Sequence, residues 1–201
     1  VAGVLKPYLP AQAPSLEEAL TSLMASAEKL PPGRERDRIQ ASGRWLLRRV
    51  NQASGVSEEY RVSLVRLAES LAAIAGRSAL AGGGREEAPL ADIAEELETK
   101  RDHCEKLNLG MGGTVKLRVT TLRDARHVVG GWQVFYLLKI YEHAKDRSPE
   151  MAPGWTSPAV ANLEPGRYFI WARDPASGRN TERLLLRLSG SPSIEQPILV
   201  P

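Results

Sequence analysis

The residues able to carry chemistry are few and scattered. Histidines stand at positions 103, 127 and 143, and the single cysteine is Cys104. A zinc site favours His-x-His or His-x-x-x-His spacing, and neither occurs. A metal or hydrolase site would therefore need the fold to bring His127 and His143 together at a junction between the two halves of the chain. The alternative reading is that all three histidines lie in loops or on the surface. His103 and Cys104 are neighbours, but adjacent helical residues point about 100° apart and do not face each other. Cys104 falls on an apolar stripe, where a thiol is buried and inert. No Gly-x-Ser-x-Gly elbow is present, and Gly110-Met-Gly-Gly113 lacks the Gly-Lys-Ser/Thr of a phosphate loop. Asp92 with Glu96, and Glu98 with Asp102, are carboxylate pairs at helical spacing, which reads as a solvated acidic face rather than an acid/base pair. No catalytic residue, metal ligand or cofactor is expected. The remaining candidates are the aromatic side chains Trp155, Phe169 and Trp171. On an open face they would hold a sugar ring or a protein surface; under packed helices they would be core.

The first half must position these groups with helices. Residues 1–14 carry three prolines and no period, and read as an extended arm. Ser15-Leu-Glu-Glu18 is a capping box, followed by an apolar stripe through Leu16, Leu20, Leu23, Met24 and Ala27. Pro31-Pro32-Gly33 ends that helix. A second helix is expected from about Arg34 to Gln52, with Gly43 allowing close approach of a neighbour. A third starts near Ser57 and is expected to end at Gly76. A flexible linker is expected near 77–88, around Gly82-Gly83-Gly84. The fourth helix is expected to open at Pro89, with Leu90, Ile93, Ala94, Leu97 and Cys104 in one stripe and acidic residues on its other faces.

Near Asn108–Gly113 the hydrophobic period changes to two. Thr114–Thr120 alternates cleanly, Trp132–Tyr141 reads as a central strand, and residues 143–157 read as an irregular loop. Arg167–Asp174 alternates Tyr168, Ile170 and Ala172 against Phe169, Trp171 and Arg173. Asp174-Pro-Ala-Ser-Gly178 is a turn, and Thr181–Leu188 and Ile194–Val200 complete the strands. The expected fold class is α+β. An antiparallel bundle of about four helices (1–110) precedes an antiparallel β-sandwich (111–201).

Composition narrows function by exclusion. The net charge is +3, and the charges are dispersed: residues 1–110 carry 15 basic and 16 acidic side chains, and 111–201 carry 12 and 8. No basic stripe marks a nucleic-acid surface, and Arg44, Arg48 and Arg49 read as a solvated helix face. No stretch is long and apolar enough to span a bilayer. One cysteine excludes an intramolecular disulfide. The chain opens at Val1, not Met, without a signal-peptide pattern, so a trimmed or a processed chain is expected; if processed, export to an extracytoplasmic location is the expectation. Oligomeric state is left open.

The run Leu163-Glu-Pro-Gly-Arg-Tyr168, with Phe169–Pro175 and Glu182–Leu188 after it, resembles the closing half of prealbumin-like sandwiches, the modules similar to the carboxypeptidase regulatory domain and the Cna protein B-type repeat. A leucine ends one strand, Pro-Gly turns the chain, and a tyrosine begins the next strand. Pro165 fixes φ, Gly166 is able to adopt φ > 0, and the Tyr168 ring covers the sandwich end. The resemblance covers roughly residues 114–200. Asp124-Ala-Arg-His127 to Gly131-Trp-Gln-Val134 replaces the usual early glycine–proline pattern, and no partner for a Lys–Asn isopeptide bond is evident. The resemblance implies a non-enzymatic interaction or structural module of an exported bacterial protein, with a protein or polysaccharide as partner. A carbohydrate-binding module using Trp155, Phe169 and Trp171 is the second reading, and the junction hydrolase or metalloprotein the third.

Overall fold

The computed structural model describes residues 15–49, 56–81, 87–144, 150–189 and 192–201, with the side chains of 87, 88 and 150–155 excepted. The extended arm, residues 50–52 of the second helix and the Gly82–Gly84 run lie outside the described residues.

Four helices occupy the first half: α1 (Leu16–Glu28), α2 (Arg34–Arg49), α3 (Glu58–Leu80) and α4 (Glu87–Asn108). The capping box forms as read. Glu18 N donates to Ser15 Oγ at 3.2 Å, and Ser15 N donates to Glu18 Oε2 at 2.7 Å. Ser57 caps α3 with a single bond, Tyr60 N donating to Ser57 Oγ at 3.2 Å. Gly43 on α2 faces α1, where a Cβ would come within 2.5 Å of Met24 Sδ. Two boundaries differ from expectation. α3 passes through Gly76 to Leu80, so residues 77–80 of the expected linker are helical. The apolar stripe through Leu71 and Ile74 outweighs the propensity cost of one glycine, roughly 1 kcal/mol. α4 begins at Glu87, placing Pro89 inside the first turn, where a missing N–H leaves no hydrogen bond unmade.

Two four-stranded sheets follow. One holds β1 (Val115–Arg123), β2 (His127–Val128), β5 (Ala159–Leu163) and β8 (Ser193–Leu199). The other has the order β4-β3-β6-β7, with β3 Gln133–Leu138, β4 Glu150–Thr156, β6 Gly166–Arg173 and β7 Leu184–Leu188. β8 runs parallel to β1, and every other pairing is antiparallel. The inner rows of both sheets, including Val115, Leu117, Val119, Val134, Ile170 and Ala172, belong to the same buried cluster as the helix core.

Part of the expected loop 143–157 is strand β4, despite its Pro153 and Gly154. β4 is an edge strand paired only to β3, where a missing N–H is tolerated. The strand expected at Trp132–Tyr141 stops at Leu138, and Lys139–His143 form a 3₁₀ turn. Gly166 does not take a positive φ; those glycines are Gly110, Gly131 and Gly178. Glycine is needed at 166 for space, since a Cβ there would lie 2.9 Å from Leu138 Cδ1 and 3.2 Å from Tyr168 Cε2.

Candidate functional site

The site is built on α4. Its apolar stripe, Ile93, Ala94, Leu97 and Cys104, is buried among the helices. An adjoining stripe, Asp92, Glu96, Lys100 and His103, is also buried. The expected solvated acidic face is thus corrected for Asp92 and Glu96, because α4 is covered on two sides. Glu98, further round the helix, is partly exposed and takes a two-pronged hydrogen bond from Arg38 of α2 at 2.6 and 2.8 Å.

Asp92 is the hub at the N-terminal end. Lys139 Nζ donates to its two oxygens at 2.6 and 2.8 Å, and Arg167 Nη2 donates to Oδ1 at 2.5 Å. His143 Nε2 lies 3.0 Å from Oδ2. Arg167 and Arg187 are register partners on β6 and β7, and both reach Glu95, at 2.7 and 3.9 Å. From α3, Arg77 Nη2 donates to the His143 carbonyl at 2.5 Å. Burial pushes the Asp92 pKa up, but hydrogen bonds from Lys139, His143 and Arg167 outweigh it and hold the carboxyl below its usual range.

One turn and two turns further along stand Glu96 and Lys100, each only 2% exposed. Lys100 Nζ donates to Glu164 Oε2 at 3.1 Å and to the Pro165 carbonyl at 3.0 Å, both in the turn before β6. Glu96 Oε1 lies 3.6 Å from Nζ, and the atom has no hydrogen-bond partner among the described residues. Burial raises the Glu96 pKa, against the pull of Lys100 and Arg167. Tyr168 Oη donates to the Glu164 carbonyl at 3.0 Å, which closes the turn from its far side. Above Lys100 opens a cleft of about 490 Å³, walled by Glu59, Val62, Ser63 and Arg66 of α3 and by Asn162, Leu163 and Glu164. Ser63 Oγ donates to Glu164 Oε2 at 3.3 Å across it.

The histidines fall in three settings. His127 is exposed on β2, His143 is half-buried against Asp92, and His103 is buried, edge-on to Tyr60 with ring centroids 5.1 Å apart. Desolvation, with Lys100 and Lys106 nearby, lowers the His103 pKa to about 4, which keeps the ring neutral at physiological pH. Cys104 is buried as expected, with Sγ 3.7 Å from Tyr60 Oη, and burial pushes its thiol up. No group of three or more His, Cys, Asp or Glu among the described residues is placed to hold a metal.

Of the aromatic candidates, Trp171 is buried and Phe169 half-buried. Trp171 is 5% exposed, stacked on Phe135 at 5.6 Å between centroids, with the Arg183 guanidinium 4.9 Å over its ring. The cover for its face is supplied within the β half rather than by helices. Phe169 is half-buried between its register partners Leu137 and Leu185. Trp155 lies in β4, on the far side of β3 from β6, and its side chain is outside the described residues.

Sequence reasoning missed the Asp92–Glu96–Lys100 row as a site. The available signal was Glu96 and Lys100, opposite charges four residues apart immediately beside an apolar stripe, on the helix bordering the change of period. Comparison with protein-family models, curated proteins and solved structures returns no match to this chain. No helix among the described residues is long and apolar enough to cross a membrane.

Proposed function

We propose that this chain is a non-enzymatic interaction or structural module of an exported bacterial protein, with helices and a prealbumin-like β unit joined as one rigid body. The observation that carries the reading is the use made of the buried charges. Asp92 accepts from the cationic Lys139 and Arg167 and lies 3.0 Å from His143 Nε2, and Lys100 is spent on Glu164 and the Pro165 carbonyl. Groups so engaged hold elements together, and the buried Glu96 lies against them, its Oε1 3.6 Å from Lys100 Nζ. The prealbumin-like assignment is supported by the Leu163–Tyr168 turn, where the tyrosine hydroxyl ties back to the residue four before it.

The test is where the full-length gene product resides. Fractionation of the native organism should recover it outside the cytoplasm. Recovery wholly in the cytoplasm would remove the exported part of the reading.

A further inference from the structure

We propose that the outer face of β6 and β7 docks an acidic segment of a partner protein. This rests on the interaction reading and names the partner class it needs. The inner side of the sheet gives Tyr168, Ile170, Ala172 and Leu188 to the core. Side chains alternate along a strand, so Arg167, Phe169, Trp171 and Arg173 of β6 point the other way. β7 follows the same parity. Phe169 pairs with Leu185 and Arg167 with Arg187, and the Arg183 guanidinium, just before the strand, lies 4.9 Å over the Trp171 ring.

The sheet thus gathers arginines from positions 167, 173, 183 and 187, which form no basic run in the sequence, around Phe169 and Leu185. Neither strand contains an acidic residue. Asp92 and Glu95 of α4 answer only the Arg167–Arg187 end, where two like charges stand directly opposite each other. Arg167 is held by both carboxylates. The Arg187 side chain is 65% exposed and meets Glu95 only at 3.9 Å. Arg173 and Arg183 are exposed and form no ion pair with another described residue. Leu185, between Arg183 and Arg187, is 51% exposed.

The sign of the face selects carboxylates, which a planar guanidinium takes two-pronged. Its apolar centre selects a protein, since an acidic polysaccharide has no apolar side chain to set on Leu185. Arginine and aromatic residues without acids are also the composition of protein interface centres. Arg183 and Arg187 stand about 13 Å apart along β7, with Leu185 midway. In an extended partner segment, residues four apart have the same separation, and the residue midway shares their face. The segment that fits is acid-x-apolar-x-acid. None of the described strands carries this pattern, which sets a second copy of this chain aside.

The probe is a displayed library of linear nonapeptides, selected on the full chain. Enriched peptides should carry two acids four positions apart around an apolar residue. Their affinity should fall at least 10-fold on Arg187→Glu and on Leu185→Ser. Replacing one or other of the peptide's acids by lysine should recover most of the first loss, which also shows that the Arg187→Glu chain folds. Failure of such peptides to enrich, or enriched peptides that bind both variants unchanged, would overturn the proposal. So would binding of polygalacturonate, duplex DNA or phosphatidylglycerol vesicles in their place, lost on Arg187→Glu. Each of these results leaves the exported-module reading standing, since the location experiment bears on that reading alone.

Discussion

Asp92 and Glu96 lie one turn apart on α4, yet their titrations act on stability in opposite directions. The folded-state pKa of Asp92 is depressed, so its contribution is present above the unfolded value of 3.8 and is lost as pH falls through the folded one. Asp92→Asn should cost about 3 kcal/mol near neutral pH by removing the acidic partner of Lys139 and leaving Arg167 only Glu95, a cost expected of a broken buried pair. Urea denaturation should show this gap closing as the pH drops below 3.8; a gap that persists in acid would mean the loss is steric. Glu96 is the reverse case. Its folded pKa is raised by burial, so its contribution is full below the unfolded value of 4.5 and is lost as pH rises through the folded one. Glu96→Gln keeps the shape without the titration. Its urea midpoint should gain on the parent chain as pH rises from 4 to 8, and parallel pH profiles would contradict the assignment. His103 gives a direct reading of its own setting. Its ring proton signals should titrate with a midpoint near 4, against about 6.5 if it were solvated.

At the scale of elements, what was legible depended on whether the deciding partner was near in sequence. The capping box at Ser15–Glu18 and the cap at Ser57 involve contacts three residues apart, and both could be read directly. The alternation of β6 was likewise plain. The cover of Trp171 was not, because it comes from Phe135 on β3 and from Arg183, twelve residues on. The second stripe of α4 was misread for the same reason. Asp92, Glu96 and Lys100 have the spacing of a solvated face, and only their neighbours in space, Lys139, Glu164 and Arg167, make it an interior one. The β1–β2 hairpin also hid. Its turn residues Asp124 and Ala125 have φ of 54° and 58°, a conformation usually announced by glycine or asparagine. Gly166 is legible as a glycine but for a different reason from the turn chemistry expected. Gly166→Ala should cost about 1–3 kcal/mol by overpacking against Leu138 and Tyr168. A thermal melt within experimental error of the parent would show that the neighbours yield freely.

For the whole molecule, the change of hydrophobic period near residue 110 marks a change of architecture. It does not mark a break in the core. The buried cluster runs from Leu16 to Ile198 through both halves, and α4 joins them with an apolar stripe on one side and a polar one on the other. Such an arrangement predicts that helices and sheets unfold together. The most direct measurement is equilibrium urea unfolding followed by residue-resolved amide exchange at Leu71 in α3 and Ile170 in β6. Coincident midpoints and equal free energies are expected at both residues. Midpoints that separate, with the sheets retaining protection after α3 has lost it or the reverse, would contradict the single rigid body on which the proposed function stands.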